Sequence, residues 1–171
     1  GREDETSIQR IKKAAAAGHT IGMHSYSHDY EKIYTSVEDF LDDFYKLFVI
    51  LRDEAGVTPT VFRFPGGSLN NYNQGVYKEI IAEMLRRGFR YYDWNVESGD
   101  VDGATWTDMY NSIPFDIANC YRSIVLMHDS NSTPNTVLVL GDVLHALVSD
   151  GYKFDKINND TRPVQFTGPF A

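Results

Sequence analysis

Alternation is the feature that most constrains this chain. Short apolar runs stand at 20–24 ("TIGMH"), 60–64 ("TVFRF"), 89–96 ("FRYYDWNV"), 123–128 ("SIVLMH") and 152–157 ("YKFDKI"). Between them lie stretches with helical periodicity: 8–18, closed by Gly18; 36–56; 73–88; a helix beginning at 105–113 and interrupted near Pro114; and 134–151. In the 36–56 stretch Ser36 is placed as N-cap, and Phe40, Leu41, Phe44, Leu47, Phe48 and Leu51 recur at helical spacing before Gly56 ends it. "SIVLMH" is apolar on both of its alternating faces, as a strand covered by helices on each side must be. Strands alternating with helices predict an α/β fold, a parallel sheet or barrel. The length predicts one domain over residues 1–171, with an irregular tail from Asn158.

Composition narrows the partners. Hydrophobic residues make up 42% of the chain, enough for a core and against disorder. The formal net charge of −8 disfavours nucleic acid or an anionic membrane, since neither is attracted to an acidic surface. No run approaches the ~18 apolar residues of a membrane-spanning segment. No signal peptide is visible, but the first residue is Gly1 rather than Met, which leaves an upstream segment open. Cys120 is the only cysteine, so no internal disulfide forms; without a nearby His it reads as a small core residue.

Parallel α/β folds collect their chemistry at the C-terminal ends of the strands. There the sequence places His24 with His28 just beyond, Arg63 leading into Pro65-Gly66-Gly67, Glu97 and Asp100, and His128 with Asp129. Each has a bland alternative. The two histidines lack the Glu of the helical zinc motif, Arg63 suits a surface ion pair, Asp100 suits a turn, and His128 suits a core edge. Four successive strand ends carrying His, Arg, acid and His outweigh the four separate alternatives. His19 and His145 read as structural or surface residues, Trp94 and Trp106 as core aromatics, and Asp29 and Asp129 as solvated loop acids.

"HSYSH", "RFPGG", "DWNVESGD" and "VLMHD", in that order, resemble the polysaccharide deacetylase family, also known as carbohydrate esterase family 4 or the NodB homology domain. The likeness covers roughly residues 8–157. It implies a distorted (β/α) barrel, usually of seven strands. It also implies metal-dependent hydrolysis of acetyl groups on N-acetylglucosamine in peptidoglycan or chitin, or on acetylxylan. By motif, His24 and His28 match the pair that binds a divalent metal, zinc first, with cobalt and nickel as alternatives. Arg63 matches the residue that orients the catalytic base. Pro65 and Gly66 match the segment whose backbone N–H helps hold the oxyanion. Asp100 matches the acid that orients the catalytic histidine, and Leu126 and His128 match the acetyl-pocket leucine and the acid that protonates the leaving amine.

Residues 1–171 contain no match to the family's first motif, Thr-Phe-Asp-Asp-Gly, which supplies the general base and the third metal ligand. The strands expected here are fewer than the seven or more of the family. The expectation is therefore a C-terminal portion of the deacetylase domain, without its first strand or strands. Val101 stands where many relatives have Trp, and Gly66 where many have Tyr, which alters the sugar contacts more than the chemistry. The resemblance implies a polysaccharide substrate and a location in the cell envelope or outside the cell. The alternatives are a non-catalytic glycan-binding member and an acetylxylan esterase. Oligomeric state is left open.

Overall fold

Helix α1 (Glu5–Ala16) begins three residues before the periodicity predicts, because the Asp4 carboxylate accepts from the Ser7 N–H and caps it. The computed structural model describes residues 4–166; the start of "GREDET" and the last five residues of the expected irregular tail lie outside the described residues. The chain forms two compact units, residues 1–93 with 156–171, and residues 94–155.

In the first unit, α1 is followed by a four-residue helix, α2 (Tyr30–Ile33), that periodicity cannot detect at such length. Helix α3 (Val37–Asp53) is the expected strong helix, with Ser36 accepting from the Asp39 N–H. Its buried face carries Phe40, Phe44, Ile50 and Leu51, and also Asp43. Strand β1 (Val61–Phe62) pairs in parallel with β2 (Arg90–Tyr91). On its other side β1 takes a parallel bridge from Met23, through Met23 N–H to Val61 O and Arg63 N–H to Met23 O. Helix α4 (Tyr77–Arg86) buries Ile80 and Met84. It starts four residues later than expected, because 73–76 form a turn around the fully buried Asn73. Aromatic rings fill this core: Phe62 and Phe64 lie 5.0 Å apart, and Phe44 meets Phe89 edge-on at 5.0 Å.

In the second unit, β3 (Val96–Glu97) pairs in parallel with β4 (Val125–Leu126). Helices α5 (Trp106–Ala118) and α6 (Pro134–Ser149) enclose Met109, Ile113, Val139, Val143 and Leu147 with Val96. The helix expected to break near Pro114 runs through it. A Thr105–Asp108 capping box and the burial of Ile113 and Ile117 offset the missing hydrogen bond of the proline.

Three expected strands fare differently. The 89–96 run splits into β2 and β3, which belong to separate sheets and separate units. Between them, the buried Tyr92 N–H still donates to Phe62 O on β1, but its hydroxyl and both the N–H and the carboxylate of buried Asp93 turn to loops. "YKFDKI" at 152–157 is not a strand; Tyr152 and Phe154 are exposed, so its alternation has no buried face to specify pairing. The strand expected at 20–24 is reduced to the single Met23 bridge, and the pairing that does form is parallel, as expected. No helix among the described residues is long and apolar enough to cross a membrane.

Candidate active site

His24 follows the Met23 bridge directly, so the sheet fixes its backbone. Its Nδ1 lies 2.9 Å from the Arg63 carbonyl oxygen. A carbonyl only accepts, so Nδ1 carries the proton and Nε2 presents a lone pair in the neutral ring. The His28 Nε2 lies 3.2 Å from it. Two imidazole nitrogens on one tetrahedral ion, each at about 2.0–2.1 Å, stand roughly 3.3 Å apart. Both rings are exposed. The pair therefore fits a divalent metal in spacing, tautomer and access. Among the described residues, no group of three His, Cys, Asp or Glu side chains is gathered to hold a metal.

The loop between the two histidines is held from α3. Asp43 Oδ1 accepts from Ser25 Oγ at 2.6 Å and from the Tyr26 N–H at 2.7 Å, and Oδ2 accepts from the Ser27 N–H at 2.9 Å. Burial acts to raise the Asp43 pKa, but the hydrogen bonds from Ser25, Ser27 and Tyr26 outweigh it and hold the carboxyl below its ordinary value. Ser25 Oγ in turn accepts from the His28 N–H at 2.9 Å. His28 has φ +57, the described non-glycine residue in the left-handed region.

Past β1 the chain turns at buried Pro65 and exposed Gly66. Pro65 O accepts from Tyr34 Oη at 2.7 Å and from Asn70 Nδ2 at 3.1 Å. That oxygen and the Gly66 N–H belong to one trans peptide, so fixing the carbonyl aims the N–H the opposite way. Gly66 has φ +74, and a Cβ there would meet Asn70 Nδ2 at 3.3 Å and Tyr30 Oη at 3.5 Å. The turn thus needs glycine, and Tyr30 approaches the space a side chain at 66 would take. Burial pushes the Tyr34 hydroxyl well above the ordinary tyrosine value, so it stays a donor. Arg63 Nε donates to Tyr92 O at 3.1 Å. Burial lowers the Arg63 pKa, and the charge of Asp93 offsets part of that. Asp93, fully buried, accepts from the Ser68 N–H at 2.8 Å, Ser68 Oγ at 2.5 Å and the Phe166 N–H at 2.7 Å.

In the second unit Asp100 opens a short 3-10 turn after Gly99. Its Oδ1 lies 2.8 Å from His128 Nδ1, and its Oδ2 accepts from the His128 N–H at 2.6 Å and from Thr136 Oγ1 at 2.8 Å. Burial acts to raise the Asp100 pKa, yet the His128, Thr136 and Ser98 hydrogen bonds bring it down to about 2. An ionised Asp100 requires N–H at His128 Nδ1, leaving Nε2 of this part-exposed ring to exchange a proton. Leu126, on β4, precedes His128 by two residues.

The first unit thus brings together His24, His28, Arg63, Pro65 and Gly66, and the second brings together Asp100, His128 and Leu126. Sequence reasoning missed Asp43, Tyr34, Asn70, Asp93 and Thr136. Asp43 left a usable signal, an acid inside the apolar stripe Phe40–Phe44–Leu47. Trp106 is exposed and Trp94 half-buried, so neither is the core aromatic expected. Cys120 packs against the second unit's core, as expected.

The family model described as polysaccharide deacetylase matches residues 1–87. A peptidoglycan-N-acetylglucosamine deacetylase of Bacillus cereus is 27% identical over 91% of this chain and 57% of its own length. The peptidoglycan-N-acetylglucosamine deacetylase PgdA of Listeria monocytogenes is 27% identical over 86% of this chain and 28% of its own. Among solved structures, the catalytic domain of the peptidoglycan N-acetylglucosamine deacetylase from Eubacterium rectale superposes with a TM-score of 0.88 at 27% identity, over 95% of this chain and 76% of that one. The α/β class expected from the alternation, and the deacetylase type implied by the resemblance, are the fold observed. The chain spans 57% or less of the curated relatives named here.

Proposed function

The chain belongs to the polysaccharide deacetylase family, and from that premise we propose that it acts in hydrolytic removal of N-acetyl groups from N-acetylglucosamine units, with peptidoglycan as the polymer. The observation that carries this reading is the Asp100–His128 pair, a buried carboxylate holding a half-exposed imidazole by its Nδ1. That arrangement suits a general acid. Hydrolysis adds water across the amide, so the C–N bond breaks and the amine must leave with a proton. His128 Nε2 gives that proton, and Asp100 balances the charge of the imidazolium. The Gly66 N–H donates to the oxygen of the acetyl group as negative charge develops there. Leu126 lines the acetyl pocket. Arg63 orients the carboxylate base, which belongs to the family motif that residues 1–171 do not contain.

His24 and His28 would hold a divalent ion, zinc before cobalt or nickel. When bound, such an ion supplies Lewis acidity and a lowered pKa for water. His24 Nδ1–H on the Arg63 carbonyl keeps the ring in the tautomer this needs. With peptidoglycan as substrate, the site of action is the cell envelope or outside the cell.

The test is acetate release from an N-acetylglucosamine oligomer by the full-length protein, the form expected to carry the carboxylate base that residues 1–171 do not contain, with and without added zinc. The expected result is metal-dependent release that His128→Ala and His28→Ala abolish while both variants stay folded. A folded His128→Ala variant with parental turnover would overturn the reading. Oligomer binding without acetate release would identify a non-catalytic member, and faster release from acetylxylan an O-esterase.

A further inference from the structure

We propose that Asp43 is a positioning residue for the metal-binding histidines, acting from α3 through the loop 25–28; this rests on reading His24 and His28 as the metal pair. Asp43 is 8% exposed, and a carboxylate that deep is retained only if its oxygens are satisfied. Its oxygens accept from three donors of one loop: Ser25 Oγ, the Tyr26 N–H and the Ser27 N–H, at 2.6–2.9 Å. Ser25 Oγ spends its own proton on Asp43 and receives the His28 N–H at 2.9 Å. Two consecutive hydrogen bonds therefore run from α3 to the backbone of His28.

That backbone is in the left-handed region, which a residue with a side chain holds only when its surroundings impose it. The imposed turn brings the His28 Nε2 back to 3.2 Å from the Nε2 of His24, four residues earlier. His24 is pinned independently, by the Met23 bridge and the Arg63 carbonyl. One ligand is thus set by the sheet and the other by a helix carboxylate. On α3, Phe40 and Phe44 flank Asp43 and are buried in the aromatic core, so the anchor itself is rigid. Asparagine at 43 keeps one acceptor but turns an N–H2 group toward an N–H of the loop, and alanine removes both acceptors.

The experiment is calorimetric titration of zinc into the metal-free full-length parent and its Asp43→Asn, Asp43→Ala, Ser25→Ala and His28→Ala variants, with amide hydrogen exchange at Tyr26, Ser27 and His28. The expected result is a zinc affinity at least about tenfold weaker in Asp43→Asn, weaker again in Asp43→Ala, with faster exchange at those amides. Ser25→Ala, which cuts the link to His28 but leaves the carboxylate bound to Tyr26 and Ser27, weakens zinc binding too and covers the case in which Asp43→Ala does not fold. Faster exchange with zinc affinity within twofold of the parent would overturn the positioning role while leaving the metal pair standing. Equal zinc binding by the parent and His28→Ala, or none by the parent, would overturn the metal pair and this proposal with it.

Discussion

Asp100 grips His128 twice, through the ring Nδ1 at 2.8 Å and through the backbone N–H at 2.6 Å. One carboxylate thereby fixes both the rotation of the imidazole and the turn that follows β4. Asp100→Asn keeps the shape but presents an N–H2 group to one of these donors. The expected outcome is a fall in kcat of about 10²–10⁴, the range of a general acid's contribution, with KM changed little. Steady-state kinetics on an N-acetylglucosamine oligomer checks it.

The same carboxylate sets an acid limit on stability. Its pKa is about 2 in the fold against an ordinary 3.8. A depressed carboxylate contributes stability above its unfolded value and loses it as pH falls through the folded one. The parent is therefore expected to lose roughly 2 kcal/mol from this group between about pH 4 and pH 2, and Asp100→Asn to lack that component. Urea unfolding midpoints at pH 6, 4, 3 and 2 measure it; parallel curves for the two proteins would contradict it.

Tyr34 acts on the turn at Pro65 and Gly66. Tyr34→Phe removes the hydroxyl that holds Pro65 O and leaves Asn70 as the remaining donor. The expected cost is about 1 kcal/mol of stability. Loosening the Gly66 N–H is expected to lower kcat about tenfold at constant KM, less than the loss from deleting an oxyanion donor outright. A rise in KM with unchanged kcat would place Tyr34 in substrate binding instead.

The core of the first unit gives a stability contrast. Met84 is fully buried and its neighbour Leu85 is 49% exposed. Met84→Ala is expected to cost about 2–5 kcal/mol, and Leu85→Ala under about 1 kcal/mol. Thermal unfolding of the two variants reads the difference.

Much of this molecule was legible in its sequence because helix caps and apolar periodicity are local. Ser36 caps where expected, and the apolar stripe of α3 faces the core. The strand-end rule found the Asp100–His128 pair because both follow parallel strands directly. The residues it missed act across the fold. Tyr34 reaches Pro65 31 positions away, and Asp93 reaches Ser68 25 positions away. No local pattern encodes such partners. The strand at 152–157 was misread because alternation specifies a strand only where one face is buried, and neither face is.

The first unit is discontinuous in sequence. Residues 156–166 form neither helix nor strand, yet Tyr92 Oη donates to Asn158 O and Thr161 O, the Asp93 N–H donates to Val164 O, and Lys156 Nζ donates to Gly18 O across 138 positions. On the ribosome, residues 94–155 are therefore made, with all their local contacts, before the first unit receives its closing segment. Asp93 waits with it, its Oδ2 without the Phe166 N–H until that residue has been made. Long-range closure of this kind is slow relative to helix pairing. The second unit is placed to finish folding first, although it comes later in the chain.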